Sequence, residues 1–317
     1  MKYVVIVDSM SNIPAHVLKN RGNIKAIPLN TEIAGVTGLD FLDTEQLMKF
    51  YRETPLKEDA KANATSPTPE QMSVFLLNEI VPHYDCAIFQ TTSAALSDVF
   101  KSIKECAETI ENEARVIRKM AGISEPFKLI LNNSGNSSSG QTLLALYTDA
   151  LLNKGVTPEV AVENADSFKK TLKTFSVISD IIQARTRMKM IGYKTISMTS
   201  AVSGQLQRNA PLVSLCNDVF KIHQVKISYK QAIKSLFEYA ERCLDSGLHL
   251  PIIHVSYAGD IRNLYAMKEF QSLQAKGKKN GVMVISGMMS VSACINYSNA
   301  SISLGIAPKE ETAEPSF

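Results

Sequence analysis

No Cys-x-x-Cys pair occurs in this chain, although it carries five cysteines, Cys86, Cys106, Cys216, Cys243 and Cys294. Odd in number, widely spaced and set among apolar neighbours, they argue against a disulfide framework and read as reduced, mostly buried thiols of a cytosolic protein. Long apolar runs are missing too: none approaches the roughly 20 residues that a membrane helix needs. Tyr3 to Val7 gives way at once to Asp8, so the apolar region of a signal peptide is not present. The expectation is a soluble, cytoplasmic protein with no transmembrane segment. Charge of one sign is also scarce. A net charge of +3 with no basic block gives no case for nucleic acid. The densest basic run, Lys276 to Asn280, is expected to be a solvated loop between a helix and a strand.

Several chemical signatures are absent as well. There is no G-x-x-x-x-G-K-[ST] loop and no G-x-G-x-x-G after a strand, which removes the usual nucleotide cradles and leaves no cofactor implied. Metal binding needs clustered ligands. His16, His83 and His223 are isolated, and His249 and His254 lie in one strand-like run at a spacing that sends them to opposite faces. Each histidine is expected on the surface or as a satisfied core residue. Hydrolysis needs a nucleophile with a base and an orienting acid. No G-x-S-x-G elbow exists, and no histidine lies near the serine-rich segments.

What remains is ordinary globular composition, 45% hydrophobic and 21% charged, over 317 residues, enough for two domains sharing a cleft. The organising stretch runs from Cys86 to Cys106. Cys86 to Phe89 is short and apolar, suited to a buried strand, and leads into Thr91, Thr92 and Ser93. Leu96, Val99, Phe100, Ile103 and Cys106 then recur at helical spacing. Two other strands end similarly. Tyr3 to Val7 ends in Asp8-Ser9, and Phe127 to Leu131 ends in Asn132-Asn133-Ser134. Strand, polar cluster and helix is how an open parallel sheet builds a ligand crevice at its carboxyl edge. Small polar residues also serve plain turns and caps at such places, so Ser93 or Ser97 could cap the helix, and the two roles can coexist.

Other signals complete the frame. Ile24 to Leu29 reads as a strand, Asp43 with Gln46 as a capping box, and Thr68-Pro69-Glu70-Gln71 as a sharp helix start. Lys57 to Ala64 is expected as an exposed charged connection. Past Phe175 the alternation changes to short β-like runs (FSVI, KTISM, PLVSL), an amphipathic helix from Ala232 to Leu244, and a strand–helix–strand unit built on PIIHVSY and GVMVI. Glu310 to Phe317 reads as a frayed tail.

The polar segments carry a resemblance. TTSAALSDVF resembles the Ile-Ser-Ser-x-Leu-Ser-Gly-Thr-Tyr segment of the DegV family, with its first serine at Ser93 and Leu96-Ser97 on the Leu-Ser pair. ATSPTPEQM is similar to the family's Thr-Ser-Gln-Pro-Ser-Pro. One register sets Ala64, Thr65 and Ser66 on Thr-Ser-Gln, and a one-residue slip sets Thr65-Ser66 on Thr-Ser. NNSGNSSSGQ resembles Asp-Ser-x-x-x-Ser-x-Gly, with Asn133 at the aspartate. Departures collect later. The Gly-Gly-Arg motif falls near Ala184 to Lys189, where Arg185 and Arg187 stand without glycine. Gly204, Leu206 and Pro211 match Gly-x-Leu-x-x-Lys-Pro, but Ala210 replaces the lysine. His-x-Gly-Pro-Gly becomes Ser298-Asn299-Ala300-Ser301-Ile302.

The resemblance implies a two-domain α/β protein. Residues 1–165 would form a three-layer α/β/α unit on a parallel sheet, and 166–317 a two-layer α+β unit on a mixed sheet. It further implies a long-chain fatty acid bound between them for presentation to a partner enzyme, a fatty acid kinase in several members, with no catalysis by the carrier. On that basis Ser93 and Thr65 would hold the carboxylate, with Ser66, Ser97, Asp8 and Ser9 lining or supporting the head-group end. The lost Gly-Gly-Arg and His-x-Gly-Pro-Gly motifs set the kinase partnership apart. Two rival readings stand beside this one: a small hydrolase or transferase using the Ser93 crevice, and a degenerate paralogue with a closed pocket.

Overall fold

Val4 to Val7 are fully buried, which a strand tolerates only when helices cover both faces of its sheet. The computed structural model describes residues 1–53, 56, 61–190, 209–225 and 227–310. In it β1 (Tyr3–Asp8) lies between β2 (Ile24–Ile27) and β6 (Cys86–Thr91), and β7 (Lys128–Asn133) completes a parallel sheet of order β2-β1-β6-β7. β1, β6 and β7 are therefore neighbours, and their polar carboxyl ends stand side by side.

A second sheet, of order β10-β9-β8-β13-β11-β12, is mixed. It comprises β8 (Lys173–Val177), β9 (Leu212–Cys216), β10 (Val219–Gln224), β11 (Ile252–Tyr257), β12 (Met283–Met288) and β13 (Ile302–Ile306). Only β11 and β12 run parallel. One face packs on α8 (Tyr229–Ser246) and α10 (Lys268–Lys279) through a core that includes Phe175, Phe237, Tyr239 and Leu304. The opposite face meets α5 (Ser138–Asn153), which also packs on β1. One helix thus serves both sheets, which explains why its residues from Ser138 through Leu146 are all buried. A two-domain α/β architecture with one parallel and one mixed sheet is what the sequence led us to expect.

Local signals hold closely. Thr68 and Gln71 form a reciprocal capping box at the start of α3 (Pro69–Phe75). Asp43 accepts from the Gln46 amide at 2.9 Å at the start of α2 (Thr44–Glu53). None of the five cysteines forms a disulfide, and every one but Cys216 is buried.

Other expectations need correction. Part of the Lys57 to Ala64 connection lies in β5 (Ala62–Thr65), the edge of a three-stranded antiparallel sheet with β3 (Asn30–Ile33) and β4 (Val36–Leu39). These strands are largely exposed, so no apolar alternation announces them. Lys276 to Lys279 form the last turn of α10 rather than a loop. Cations there suit the negative end of the helix dipole, and Lys276 pairs with Asp245 at 2.7 Å. The single helix expected between PIIHVSY and GVMVI is broken into α9 (Ile261–Tyr265) and α10. His249 precedes β11 rather than sharing it with His254. His254 is fully buried with neither ring nitrogen hydrogen-bonded, so it is not a satisfied core histidine. KTISM, Gly204, Leu206 and all of the tail beyond Glu310 lie outside the described residues.

Candidate functional site

Helix α4 (Val99–Met120) starts later than the apolar spacing suggests. Leu96 lies in a turn before it, and neither Ser93 nor Ser97 is its N-cap, a position held by Asp98 without a side-chain bond. That delay leaves Thr92 to Asp98 as a non-helical rim. Against it stands a cavity of about 300 Å³, at the lower end of the range for small-molecule sites. One wall comes from the carboxyl ends of the parallel sheet and from β5: Met10, Leu29, Asn63 to Ser66, Thr92, and Leu96 to Asp98. The other comes from the mixed sheet, where Ile178, Val213, Leu215 and Phe220 present an apolar surface. Asn296 and Tyr297 of α11 (Val291–Tyr297) close it, and the Tyr297 hydroxyl meets Ser137 Oγ at 2.6 Å. Burial pushes the Tyr297 phenol above its usual range, so it stays a neutral hydrogen-bonding group.

The six residues expected to hold or support a head group divide three ways. Thr65, Ser66 and Ser97 line the cavity, although the Ser66 hydroxyl itself is turned out of reach of solvent and has no hydrogen-bond partner in the protein. Such an orphan is expensive to bury.

Asp8 and Ser9 sit behind the rim. The Asp8 carboxylate accepts from the Thr92 amide at 2.6 Å, Thr92 Oγ1 at 2.7 Å, Gln141 Nε2 at 3.1 Å and the Met10 amide at 3.1 Å. It thereby ties the ends of β1 and β6 to α5. Burial raises its pKa, while these donors oppose the rise. The Ser9 hydroxyl donates to Asp40 at 2.6 Å and accepts from the Leu29 amide. Asp40 also accepts from the Val291 amide and the Ser292 hydroxyl at the start of α11. Burial raises the Asp40 pKa in the same way.

Ser93 is a third case. It is buried beside the cavity, and its hydroxyl donates to Asp218 at 2.5 Å. Asp218 sits in the β9–β10 turn, far away in sequence, and nothing in the local pattern could have flagged it. Phe220, Val213 and Leu215 were equally invisible as site residues, although their strand alternation marked one apolar face.

A catalytic constellation would need a base near these hydroxyls. Among the described residues no histidine lines the cavity. Ser214 does meet His223 Nε2 at 2.7 Å, but Val213 and Leu215 face the cavity, so Ser214 points to the other side of its strand. Also among the described residues, no group of three or more histidine, cysteine, aspartate or glutamate side chains could hold a metal ion. No described helix is long and apolar enough to cross a membrane.

Fold and cavity together define a two-domain α/β protein with an apolar, hydroxyl-rimmed pocket between its sheets. The chain belongs to the DegV family: the family model described as "Uncharacterised protein, DegV family" matches residues 2–308. A DegV domain-containing protein of Xanthomonas axonopodis pv. citri (strain 306) is 22% identical over 307 residues, 97% of this chain and 98% of that protein. The fold is similar to the stearic acid-binding protein of Eubacterium ventriosum ATCC 27560, with a TM-score of 0.76, 14% identity, and 97% and 98% of the two chains covered. It is also similar to DegV, a fatty acid binding protein from Bacillus subtilis, with a TM-score of 0.72, 18% identity, and 98% and 100% covered.

The family's glycine turn offers a local comparison. Ser298 and Ala300, where the family motif has histidine and glycine, take φ of +78° and +61°. The turn keeps a left-handed backbone without a glycine, held by the Ala300 amide on the Ala258 carbonyl at 2.6 Å and by the Tyr229 hydroxyl on the Ala300 carbonyl.

Proposed function

We propose that this protein binds a long-chain fatty acid in the cavity between its two sheets and presents it to a partner enzyme, without catalysis of its own. The observation that carries the reading is an apolar cavity whose polar rim includes Thr65, Ser66 and Ser97. The acyl chain would lie against Ile178, Val213, Leu215 and Phe220. Its carboxylate would rest on Thr65, Ser66 and Ser97, with Ser93 as a further donor and Asp8 and Ser9 holding the rim from behind. Each buried methylene contributes about 0.8 kcal/mol, so ~14 of them give roughly 11 kcal/mol before ordering costs. A head-group hydrogen bond contributes about 1 kcal/mol. The tail therefore sets affinity and the hydroxyls set orientation. A division into residues 1–165 and 166–317, with the lipid between, belongs to the same proposal.

Purified protein, denatured and extracted into organic solvent, is expected to yield about one acyl chain per polypeptide by mass spectrometry. Thr65→Ala and Ser66→Ala should each weaken oleate binding by about 1 kcal/mol with little change in fold. Absence of lipid in the extract, together with no uptake of added oleate, would defeat the carrier reading and favour a closed paralogue.

We also infer that the chain serves a fatty acid kinase poorly. Asp98 lines the cavity mouth, where its carboxylate would repel an incoming phosphate. The glycines of Gly-Gly-Arg and His-x-Gly-Pro-Gly, which would give a docking partner backbone clearance, are replaced. Loaded with oleate and mixed with a kinase that serves a glycine-bearing family member, it is expected to form acyl phosphate well below that member's rate. An equal rate would show the replacements to be neutral.

A further inference from the structure

The β9–β10 hairpin closes through a two-residue turn, Asn217 and Asp218, with φ of +50° and +65°. This is the left-handed pair that a tight hairpin demands. The turn does not project into solvent. It seats on the loop after β7, where the Asp218 amide donates to the Gly135 carbonyl at 2.8 Å. Gly135 has φ of +62°, and a Cβ there would come within 2.9 Å of Asn217 Cα, so only glycine lets the turn approach this closely.

Seated this way, the Asp218 carboxylate reaches the hydroxyl-rimmed end of β6. One oxygen accepts from Ser93 Oγ at 2.5 Å, and the other from Asn133 Nδ2 at 2.8 Å. Asn133 is oriented for this, because its own oxygen accepts from the amides of Ala94 and Gly135, each at 3.1 Å. A carboxylate held by a hydroxyl and an amide N–H is the arrangement an acyl carboxylate would seek in the same place.

We propose that Asp218 is a specificity-determining residue: its carboxylate takes the place on Ser93 and Asn133 where a lipid carboxylate would gain further donors, and so competes with anionic head groups but not with uncharged ones. The proposal rests on the lipid-binding reading and adds which head groups the site favours. A fatty acid must displace Asp218 from Ser93 to gain that donor. A lipid alcohol can instead use Thr65 and Ser66 and leave the turn seated. Phe220, two residues beyond Asp218, lines the cavity, so displacement of the turn is felt along the acyl wall.

The test uses the full-length chain, stripped of lipid, with oleate and oleyl alcohol as probes. Asp218→Gly removes the carboxylate and leaves Asn-Gly, the most favoured pair for such a turn. It is expected to tighten oleate binding about tenfold or more while shifting oleyl alcohol by less than about twofold. Asn133→Asp keeps the acceptor for the Ala94 and Gly135 amides but sets carboxylate against carboxylate. It should expel Asp218 but repel an incoming lipid carboxylate as well, and so lower the preference for oleate over the alcohol relative to Asn133→Ser, which lacks that repulsion. Oleate affinity unchanged or lowered in Asp218→Gly, with the alcohol still bound, overturns the assignment to Asp218 and leaves the lipid reading standing. Failure of the unaltered protein and all three variants to bind either probe overturns the lipid reading and this proposal with it.

Discussion

Lowering the pH from 7 to 5 is expected to cost the native protein about 2 kcal/mol more stability than it costs a His254→Leu variant. His254 lies on β11 with Ile285 and Gly305 as its cross-strand partners, fully buried and with both ring nitrogens unbonded. Burial, aided by the charge on His16, pulls its pKa down to about 3. In the unfolded chain the same imidazole takes its proton near pH 6.5. Between those values the unfolded state binds a proton that the folded state refuses. Stability therefore falls as pH drops, by up to about 1.4 kcal/mol per unit, beginning near 6.5.

Asp8 and Asp40 act in the opposite sense. Their pKa values are raised by burial, so the folded chain gains protons first and is favoured as pH falls through that range. Both groups are common to the two proteins, and the comparison removes their contribution. Urea denaturation of native and His254→Leu protein at pH 7 and pH 5 measures the difference directly. Equal losses in both would mean that His254 is protonated in the folded state.

His254 also shows where sequence reading reaches its limit. Its position in a β-like run was plain, and strand alternation could place it on one face. Whether that face offered a partner depended on α5, more than a hundred residues earlier in the chain. The polar ends of β1, β6 and β7 are the converse. Each was legible as a strand handing over to a polar cluster, and a parallel sheet brings such ends together. What each hydroxyl does there was not legible. Ser9 is spent on Asp40 and Ser93 on Asp218, both through contacts set by tertiary packing. Ser66 keeps its hydroxyl unpartnered, which its local sequence equally could not show. The three-stranded sheet from Asn30 to Thr65 escaped notice because exposed strands need no apolar alternation to form. The Thr68–Gln71 capping box, by contrast, depends on local chemistry and forms as read, while at Asp43 and Gln46 the cap bond to the Gln46 amide is present.

Gly305→Ala is expected to destabilise the protein by about 2–3 kcal/mol and to weaken oleate binding about tenfold. Gly305 lies in β13 on the face that meets the start of α5, with Leu304 and Ile306 turned to the opposite core. A Cβ at this position would stand 2.6 Å from the Ser139 carbonyl oxygen and 3.0 Å from the Gly140 amide nitrogen. Both are backbone atoms, so no rotamer change relieves the clash, and the first turn of α5 must retreat from the sheet. Gly140 is under the same constraint from the other side, since a Cβ there would fall 1.9 Å from Thr174 Oγ1. The two glycines bring helix and sheet to backbone contact, and Ser139 Oγ confirms the fit by donating to the Ser303 carbonyl at 2.9 Å. The consequence for ligand follows from what precedes the helix. Ser137 holds the hydroxyl of cavity-lining Tyr297, and the Asn136 carbonyl accepts from the Ser93 amide at 2.7 Å. A displaced α5 therefore moves both the Tyr297 side of the cavity and the head-group rim. Leu273→Ala supplies the control, because it removes a buried side chain in the outer layer at a similar cost without touching this contact. It should lower the melting temperature comparably and leave oleate affinity unchanged. If both variants lose affinity in proportion to stability, the contact between Gly305 and α5 has no special role in shaping the cavity.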